Sequence, residues 1–186
     1  VYEWLNVSTM GFPEPFLFGL RAYQFLQRNG HRYDVIHDNQ SLSYGLWALS
    51  RRLPTLATIH HPITVDLDIA IRAERYFWRK LKQLRWYSFI HMQKQVARTL
   101  PYILTVSECA RRDISRDFTI PLERFRIVPN GINTDLFYPL PDVQRDSHRI
   151  IVTNSADTPL KGLYYLLQAV EKISRTRDIR LMVIGT

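Results

Sequence analysis

The sequence is poor in cysteine and in long apolar runs. Cys109 is its single cysteine, so no disulfide can form within the chain, and we expect a reducing, cytoplasmic compartment. No stretch reaches the roughly 18 to 20 continuous apolar residues that cross a bilayer, and no charged and then apolar leader opens the chain. We therefore expect a soluble protein, or one held peripherally at the inner face of the membrane.

Acidic residues are scarce relative to basic ones. The chain has 17 Asp and Glu against 25 Lys and Arg, which gives a formal net charge of +8. Such a surplus attracts anionic partners, namely nucleic acid, acidic lipid or phosphorylated small molecules. No nucleic-acid-binding motif accompanies the charge, so we expect no nucleic-acid partner.

Short apolar runs alternate with helical patterns along the 186 residues, of which 46% are hydrophobic. The predicted strands are 3–8, 33–37, 55–60, 102–107, 124–129, 149–153 and 179–185. The predicted helices are 15–28, 42–52, about 70–99, 108–117 and 159–174. Apolar strands that alternate with helices are typical of a doubly wound parallel sheet, so we predict an α/β, Rossmann-like fold.

Residues 139–148 interrupt this alternation with two prolines and a polar, charged run, which is typical of an interdomain linker. We predict one Rossmann-like domain over 1–138 and the first βαβ unit of a second domain over 149–186. The first residue is Val1 and an apolar run ends the chain at Thr186, so we expect a fragment of a longer protein.

A lone cation stands near the predicted start of the last helix. Thr158 is a candidate cap, Pro159 suits the first helical position, and Lys161 then falls in the first turn. Because helix N-terminal amides already carry partial positive charge, a lysine there indicates a bound anion such as phosphate. The alternative is a solvated surface lysine beside a tight turn at Gly162.

Histidines gather at the ends of predicted strands. His37 and Asp38 follow one strand, and His60 and His61 follow the next. Ligands of open parallel sheets bind beyond the carboxyl ends of the strands, so these residues are predicted to share a cleft. Local hydrogen bonding is the alternative for each of them. A zinc site is a further alternative, although no spacing defines a closed set of ligands.

Ser107 and Glu108 lie between a predicted strand and a basic helix. A nucleophilic serine is disfavoured because no G-x-S-x-G turn surrounds Ser107. The position favours a helix cap instead.

The segment 72–98 combines basic and aromatic residues, with Glu74 as its single acidic residue. Its basic residues are Arg72, Arg75, Arg79, Lys80, Lys82, Arg85, Lys94 and Arg98, and its aromatic ones are Tyr76, Phe77, Trp78, Trp86, Tyr87 and Phe89. Such a helix can lie on an anionic membrane. The alternative is an outer helix that buries Phe77, Leu81 and Leu84 in the core.

Taken together, the motifs resemble glycosyltransferase family 4, the retaining nucleotide-sugar transferases with the GT-B fold of two facing Rossmann-like domains. The resemblance rests on "YDVIHDN", "PTLATIHHP", "ILTVSECARRDI" and "RFRIVPNGINTDLFYP", followed after the linker by "PLKGLYYLLQAV". It implies transfer of a sugar from a nucleotide diphosphate donor to a lipid-linked, carbohydrate or small-molecule acceptor. The resemblance implies no metal and no cofactor.

The resemblance also assigns residues. It makes His60 the catalytically important histidine and Lys161 the cation that binds the donor diphosphate, with Ser155 and Gly162 leaving room for phosphate. The residues implied to line the acceptor side of the cleft are His37, Asp38, His61, Ser107 and Glu108. One departure stands out: many members have Gly-Arg where this sequence has Ser155-Ala156, so one cation is missing.

Two other classes remain open. One is a non-catalytic sugar or nucleotide-binding module, which would lack the acidic motif expected beyond Thr186. The other is a basic peripheral-membrane interaction protein. If the chain is a fragment, we expect it to be inactive alone, because most of the donor pocket would lie outside it.

Overall fold

The computed structural model describes residues 14–154 and 161–185. The chain divides into two compact units, Val1–Asn130 and Gly131–Thr186. The predicted strand at 3–8 lies outside the described residues. The assignment of 1–138 to one Rossmann-like domain, 139–148 to a linker and 149–186 to the first βαβ unit of a second domain stays a prediction.

In the described part of the first unit, four strands form a parallel sheet in the order β1-β2-β3-β4. The strands are β1 Ile36–Asn39, β2 Thr55–Thr58, β3 Ile103–Thr105 and β4 Phe125–Ile127. Each of them overlaps a predicted strand. All three neighbouring pairs are parallel, so each connection must cross over one face of the sheet.

Helices supply these crossovers. The crossover from β1 to β2 is α2 Tyr44–Leu49, and the crossover from β2 to β3 contains α3 Thr64–Ala73, α4 Phe77–Trp86 and α5 Phe89–Thr99. The crossover from β3 to β4 is α6 Glu108–Phe118 with a short 3₁₀ helix at Leu122–Arg124. The helix α1 Glu14–Asn29 and a short 3₁₀ helix at Gly30–Arg32 precede β1. The alternation of parallel strands and helices confirms the predicted α/β, Rossmann-like class. None of the described helices is both long and apolar enough to span a bilayer.

The core of the first unit lies between the sheet and the helices α5 and α6. Val96 and Ala97 of α5 and Ile114 and Phe118 of α6 are buried in one cluster with Ile103 at the start of β3. The spacing of apolar residues at three to four positions gives an amphipathic helix one apolar face. A smaller cluster joins β1 to α1 and α2 through Ile36, Leu46, Leu49, Ala22, Tyr23, Leu26 and Leu53.

Two glycines bring α1 and α2 into backbone contact. A Cβ atom added to Gly45 would lie 2.0 Å from the carbonyl oxygen of Gly19, and one added to Gly19 would lie 2.0 Å from Oγ of Ser43. Neither distance is possible between real atoms, so this crossing requires glycine at both positions. It fixes the start of α2, which follows the loop after β1.

The single helix predicted over about 70–99 is wrong, because α3, α4 and α5 are separate. Glu74 and Tyr76 have extended backbone between α3 and α4. Side chains of α4 hold this turn: Gln83 Nε2 donates to Glu74 Oε1 at 3.4 Å, and Arg79 lies over the Tyr76 ring at 5.4 Å. A second turn at Tyr87 and Ser88 separates α4 from α5.

The alternative that buried Phe77, Leu81 and Leu84 in the core is also wrong. Their exposed fractions are 80%, 57% and 50%, and α4 contains no buried residue. The helix packs instead beside α3, which also lacks buried residues.

The second unit pairs two parallel strands, β5 Arg149–Thr153 and β6 Arg180–Ile184, joined by the helix α7 Leu163–Ser174. The prediction that this helix starts at residue 159 with Lys161 in its first turn is wrong. Gly162 has φ +69° and caps α7 in the left-handed conformation, so α7 begins at Leu163 and Lys161 precedes it. Thr158 and Pro159 lie outside the described residues.

Candidate functional site

The predicted cleft lies at the carboxyl ends of β1 and β2. Asn39 is paired with Thr58 in the parallel register, so the loops that begin at Gln40 and Ile59 leave the sheet side by side. His60 follows directly in the second loop. The first loop is therefore within reach of His60 through side chains of ordinary length.

His60 is held by two residues at the end of β1 and the start of its loop. Its ring Nε2 lies 2.7 Å from Oδ1 of Asn39, and its backbone N–H donates to Oε1 of Gln40 at 2.7 Å. Within the part of the chain that the structure describes, Nδ1 of His60 makes no hydrogen bond. Toward the described residues, therefore, one ring nitrogen has no partner.

His61 faces a different partner. Its Nε2 lies 3.1 Å from Oδ2 of Asp66 in the first turn of α3, and its side chain is 53% exposed. Its carbonyl oxygen accepts from Nε2 of Gln40 at 3.2 Å. The neighbouring histidines thus share one backbone clamp but differ in their side-chain contacts.

Asp66 also acts on Tyr87, the residue that follows α4. Burial raises the pKa of the Tyr87 phenol, and the negative charge of Asp66 raises this pKa further. The carboxylate therefore influences both His61 and the turn between α4 and α5. Neither interaction was predicted from the sequence.

Asp38 shapes the loop after β1. It is 5% exposed, and its two carboxylate oxygens accept the backbone N–H groups of Ser41 at 2.9 Å and Leu42 at 2.8 Å. Gln93 of α5 donates to the carbonyl oxygen of Gln40 at 2.9 Å. The two bonds that Asp38 accepts stabilise the loop. Its assignment to the acceptor cleft stays a prediction.

His37 also bonds across the sheet. Its Nε2 lies 2.7 Å from Oγ1 of Thr58 in β2. Local bonding was the alternative that the sequence left open for this residue, and the structure contains such a bond. A role for His37 toward an acceptor stays a prediction.

Ser107 caps α6, as expected. Its Oγ accepts the backbone N–H of Ala110 at 3.1 Å. Glu108 follows and bonds to Arg111 at 2.6 Å and Arg112 at 3.1 Å. The hydrogen bond from Arg111 is the main cause that lowers the pKa of Glu108, and two guanidinium groups share this carboxylate.

The predicted donor-binding residues belong to the second unit. Lys161 is exposed, and a Cβ built on Gly162 would have no atom of the other described residues within 4 Å, its chain neighbours apart. Gly162 therefore serves the left-handed backbone that starts α7. Ser155 and Ala156 lie outside the described residues.

Metal-binding side chains do not come together in the described ranges, where no group of three or more His, Cys, Asp or Glu residues has suitable geometry. The histidines of the possible zinc set, His37, His60 and His61, face Thr58, Asn39 and Asp66 respectively. Each of these histidine rings therefore has a different hydrogen-bond partner.

Comparison with known proteins adds the family. The sequence profile of Glycosyltransferase Family 4 matches residues 1–136. The chain belongs to this family. The resemblance drawn from the motifs is thereby confirmed.

A curated relative agrees. The chain is 44% identical over 183 residues to an MMP alpha-(1->4)-mannosyltransferase of Mycolicibacterium hassiacum, and the match covers 98% of this chain. It covers 44% of that relative, so the chain spans less than half of the relative's length.

The contacts around His60 in this family member were only partly predictable. The sequence patterns indicated His37 and Asp38 but not Asn39, Gln40 or Gln93. The rule that parallel strands end at one edge was a sufficient signal for the position of Asn39, which directly follows Asp38, and of Gln40 after it, but not for their bonds to His60. Gln93 lies in the middle of α5, and no local pattern indicated its bond to the loop.

Proposed function

We propose that the protein containing this chain transfers a mannosyl or related hexosyl group from a nucleotide diphosphate donor to an acceptor hydroxyl, with retention of anomeric configuration. The observation that carries the proposal is His60, which a family 4 chain presents at the carboxyl edge of a parallel sheet with one ring nitrogen unoccupied among the described residues. The mannosyltransferase relative supports the choice of sugar.

His60 is proposed to position the sugar beside the acceptor. Its backbone and ring are both hydrogen-bonded, so little ordering of this residue is needed when substrate binds. His37, Asp38, His61, Ser107 and Glu108 are proposed to border the acceptor side. The acceptor is a lipid-linked sugar, another carbohydrate or a small molecule.

Lys161 is proposed to bind the donor diphosphate. Departure of the nucleotide diphosphate develops negative charge, which an ammonium group and the first amides of a helix stabilise. Gly162 places Lys161 directly before α7, and Ser155 is proposed to line the same loop. The proposal includes no metal and no cofactor, because these groups supply the charge that a divalent cation would supply.

The proposal is tested with the full-length protein. It is incubated with UDP-, GDP- and ADP-sugars and a panel of mannosyl acceptors, and the release of nucleoside diphosphate is measured together with the NMR coupling of the new anomeric proton. An α-linked product from an α-linked donor is the expected result. Nucleotide binding without transfer would favour the non-catalytic module instead, and an inverted linkage would refute retention.

A second proposal concerns α4, which carries four basic and no acidic residues. Its exposed apolar residues are Phe77, Trp78, Leu81, Leu84 and Trp86, with exposed fractions between 45% and 80%. We propose that the face formed by Phe77, Trp78, Leu81 and Leu84 lies on an anionic lipid surface, because cations and interfacial aromatics favour such a surface, while like charges oppose pairing with a second copy.

Aromatic side chains at the N-terminal end of α4 form an ordered stack. Tyr76 and Trp78 stack with ring centroids 5.8 Å apart, and the Arg79 guanidinium lies 5.4 Å from one ring and 5.0 Å from the other. An ordered stack loses less conformational entropy when it enters an interface than three independent side chains would. Peripheral binding to the inner face of the membrane follows from this proposal.

A further inference from the structure

We propose that Asn39 and Gln40 are positioning residues for His60: Gln40 fixes its backbone, and Asn39 fixes its ring in the neutral Nε2–H tautomer, leaving Nδ1 to accept a hydrogen bond from a sugar hydroxyl. The inference rests on the proposed role of His60. It adds two residues to which the sequence patterns assigned no role.

Gln40 clamps the backbone of the two histidines. Its Oε1 accepts the N–H of His60 at 2.7 Å, and its Nε2 donates to the carbonyl of His61 at 3.2 Å. A backbone N–H only donates and a carbonyl only accepts, so the orientation of the Gln40 amide is determined by these two partners. One side chain thus spans the whole dipeptide.

Buried residues support this clamp. Gln40 has φ 63°, a left-handed conformation that is uncommon for a residue with a side chain. Its carbonyl oxygen accepts from Gln93, which is 2% exposed on α5. The buried Asp38 carboxylate holds the next two amides of the loop. A strained residue persists only where its surroundings over-determine it, and functional sites are where such residues cluster.

Asn39 holds the ring of His60. Oδ1 of Asn39 lies 2.7 Å from Nε2, and because a carbonyl oxygen accepts, Nε2 must carry the hydrogen. In a neutral imidazole the other nitrogen then has a lone pair and no proton. Among the described residues Nδ1 has no hydrogen-bond partner, so it is the nitrogen left to a ligand.

The chemical consequence is specific. A neutral imidazole in this tautomer accepts a hydrogen bond from a hydroxyl group and has no proton to give on the side of Nδ1. His60 therefore orients a sugar hydroxyl instead of protonating a leaving group. The charged and titratable groups nearest along the same loops are His37, Asp38, His61 and Asp66, and each of them has its own partner.

The test uses ¹⁵N-histidine labelling of the full-length protein, with the signals of His60 assigned by their loss in His60→Ala. We expect wild type to have the Nε2–H tautomer. Asn39→Leu should lose this preference and about 10- to 100-fold in kcat with little change in KM, since a misoriented group costs on this order. Asn39→Asp, which still accepts from Nε2–H, should restore the tautomer and much of the rate.

Gln40→Leu should lower kcat while leaving the tautomer of His60 unchanged, because it removes the backbone bonds alone. Gln27→Leu is the matched control, since the Gln27 amide is exposed on α1 and bonds to Tyr23 of the same helix. An Nδ1–H tautomer in wild type, or kcat values in both loop variants equal to wild type, overturns the inference. If wild type transfers no sugar, the proposed function falls, whereas the tautomer in Asn39→Leu still decides the positioning: loss of Nε2–H supports it and retention refutes it.

Discussion

His61 Nε2 lies 3.1 Å from Oδ2 of Asp66, in the first turn of the helix that follows it. The adjacent His60 has its ring against Asn39 instead. In the sequence, the two histidines are adjacent and follow the same predicted strand, so nothing there distinguishes them. The structure separates them, because one ring is tied to a helix and the other presents a nitrogen without a partner among the described residues at the edge of the sheet.

This separation predicts unequal effects in the full-length protein. His60→Ala should lower kcat by about 100-fold or more, because a group that orients the reacting sugar is lost, while nucleotide affinity should stay nearly unchanged. His61→Ala should cost less than about 10-fold, because an exposed pair with a carboxylate contributes little. Steady-state kinetics and calorimetric titration measure both quantities, and equal kcat values in His60→Ala and wild type would refute the assignment.

Much of the fold was predictable, and the failure in α3 to α5 has a physical cause. Residues 70–99 contain neither glycine nor proline, so nothing local indicated that the helix would break. The breaks come from contacts between helices and turns, such as the stack of Tyr76 on Trp78 and the bond from Gln83 to Glu74. Helix propensities describe single residues and therefore do not predict such contacts.

The candidate site was predictable in place but not in detail. The position of His60 followed from the rule on strand ends, and the cap at Ser107 followed from its residue type. The clamp by Gln40 depends on a left-handed backbone at that residue and on Gln93, 53 positions later in the chain. Neither a rare φ angle nor a contact at that separation leaves a pattern in the sequence.

The crossing of α1 and α2 predicts a large effect of one methyl group. Gly45→Ala would place its Cβ 2.0 Å from the backbone oxygen of Gly19, and a backbone atom cannot move aside as a flexible side chain can. We expect a loss of about 1 to 3 kcal/mol in unfolding free energy, typical of overpacking. Urea denaturation measures it.

Gly131→Ala is the matched control for this substitution, because a Cβ built at Gly131 has no described residue within 4 Å other than its chain neighbours. Its unfolding free energy should differ little from that of wild type. If Gly45→Ala and Gly131→Ala were equally stable, the close contact of α1 and α2 would not exist in solution.

Glu108 predicts a pH dependence of stability. The hydrogen bond from Arg111 lowers the pKa of this carboxyl below its ordinary 4.5, so the contribution of Glu108 to stability is present above pH 4.5 and lost as pH falls through the lowered pKa. Wild type should therefore melt slightly above Glu108→Gln near neutral pH, and the two curves should converge in acid. Glu123→Gln is the charge-matched control, and a difference in melting temperature that persists unchanged at low pH would contradict the ion pair as its source.

The lipid proposal predicts salt-sensitive binding to acidic vesicles by the full-length protein. Each basic residue near such a surface contributes about 1 kcal/mol, so replacing Lys80 and Lys82 with Gln should weaken binding roughly 30-fold at low ionic strength. Replacing Lys172 and Arg177 with Gln removes the same charge from the second unit and should change little. Sedimentation with phosphatidylserine and phosphatidylcholine vesicles measures this, and binding that high salt leaves intact, or no binding, would rule the surface out.

Lys161 lies directly before Gly162 and α7, and this position defines the effect expected of its replacement. An ammonium group and the amides that follow Gly162 would together bind a diphosphate, and a charge-assisted hydrogen bond contributes about 1.5 to 3 kcal/mol. Lys161→Ala in the full-length protein should therefore weaken nucleotide diphosphate binding roughly 10- to 150-fold, and Lys161→Arg should not fully restore it, because a planar guanidinium differs in geometry from a point charge. Calorimetric titration with UDP, GDP and ADP measures these affinities, with Lys172→Ala in the last turn of α7 as the control. Equal affinities in Lys161→Ala and wild type would leave Lys161 as an ordinary surface lysine.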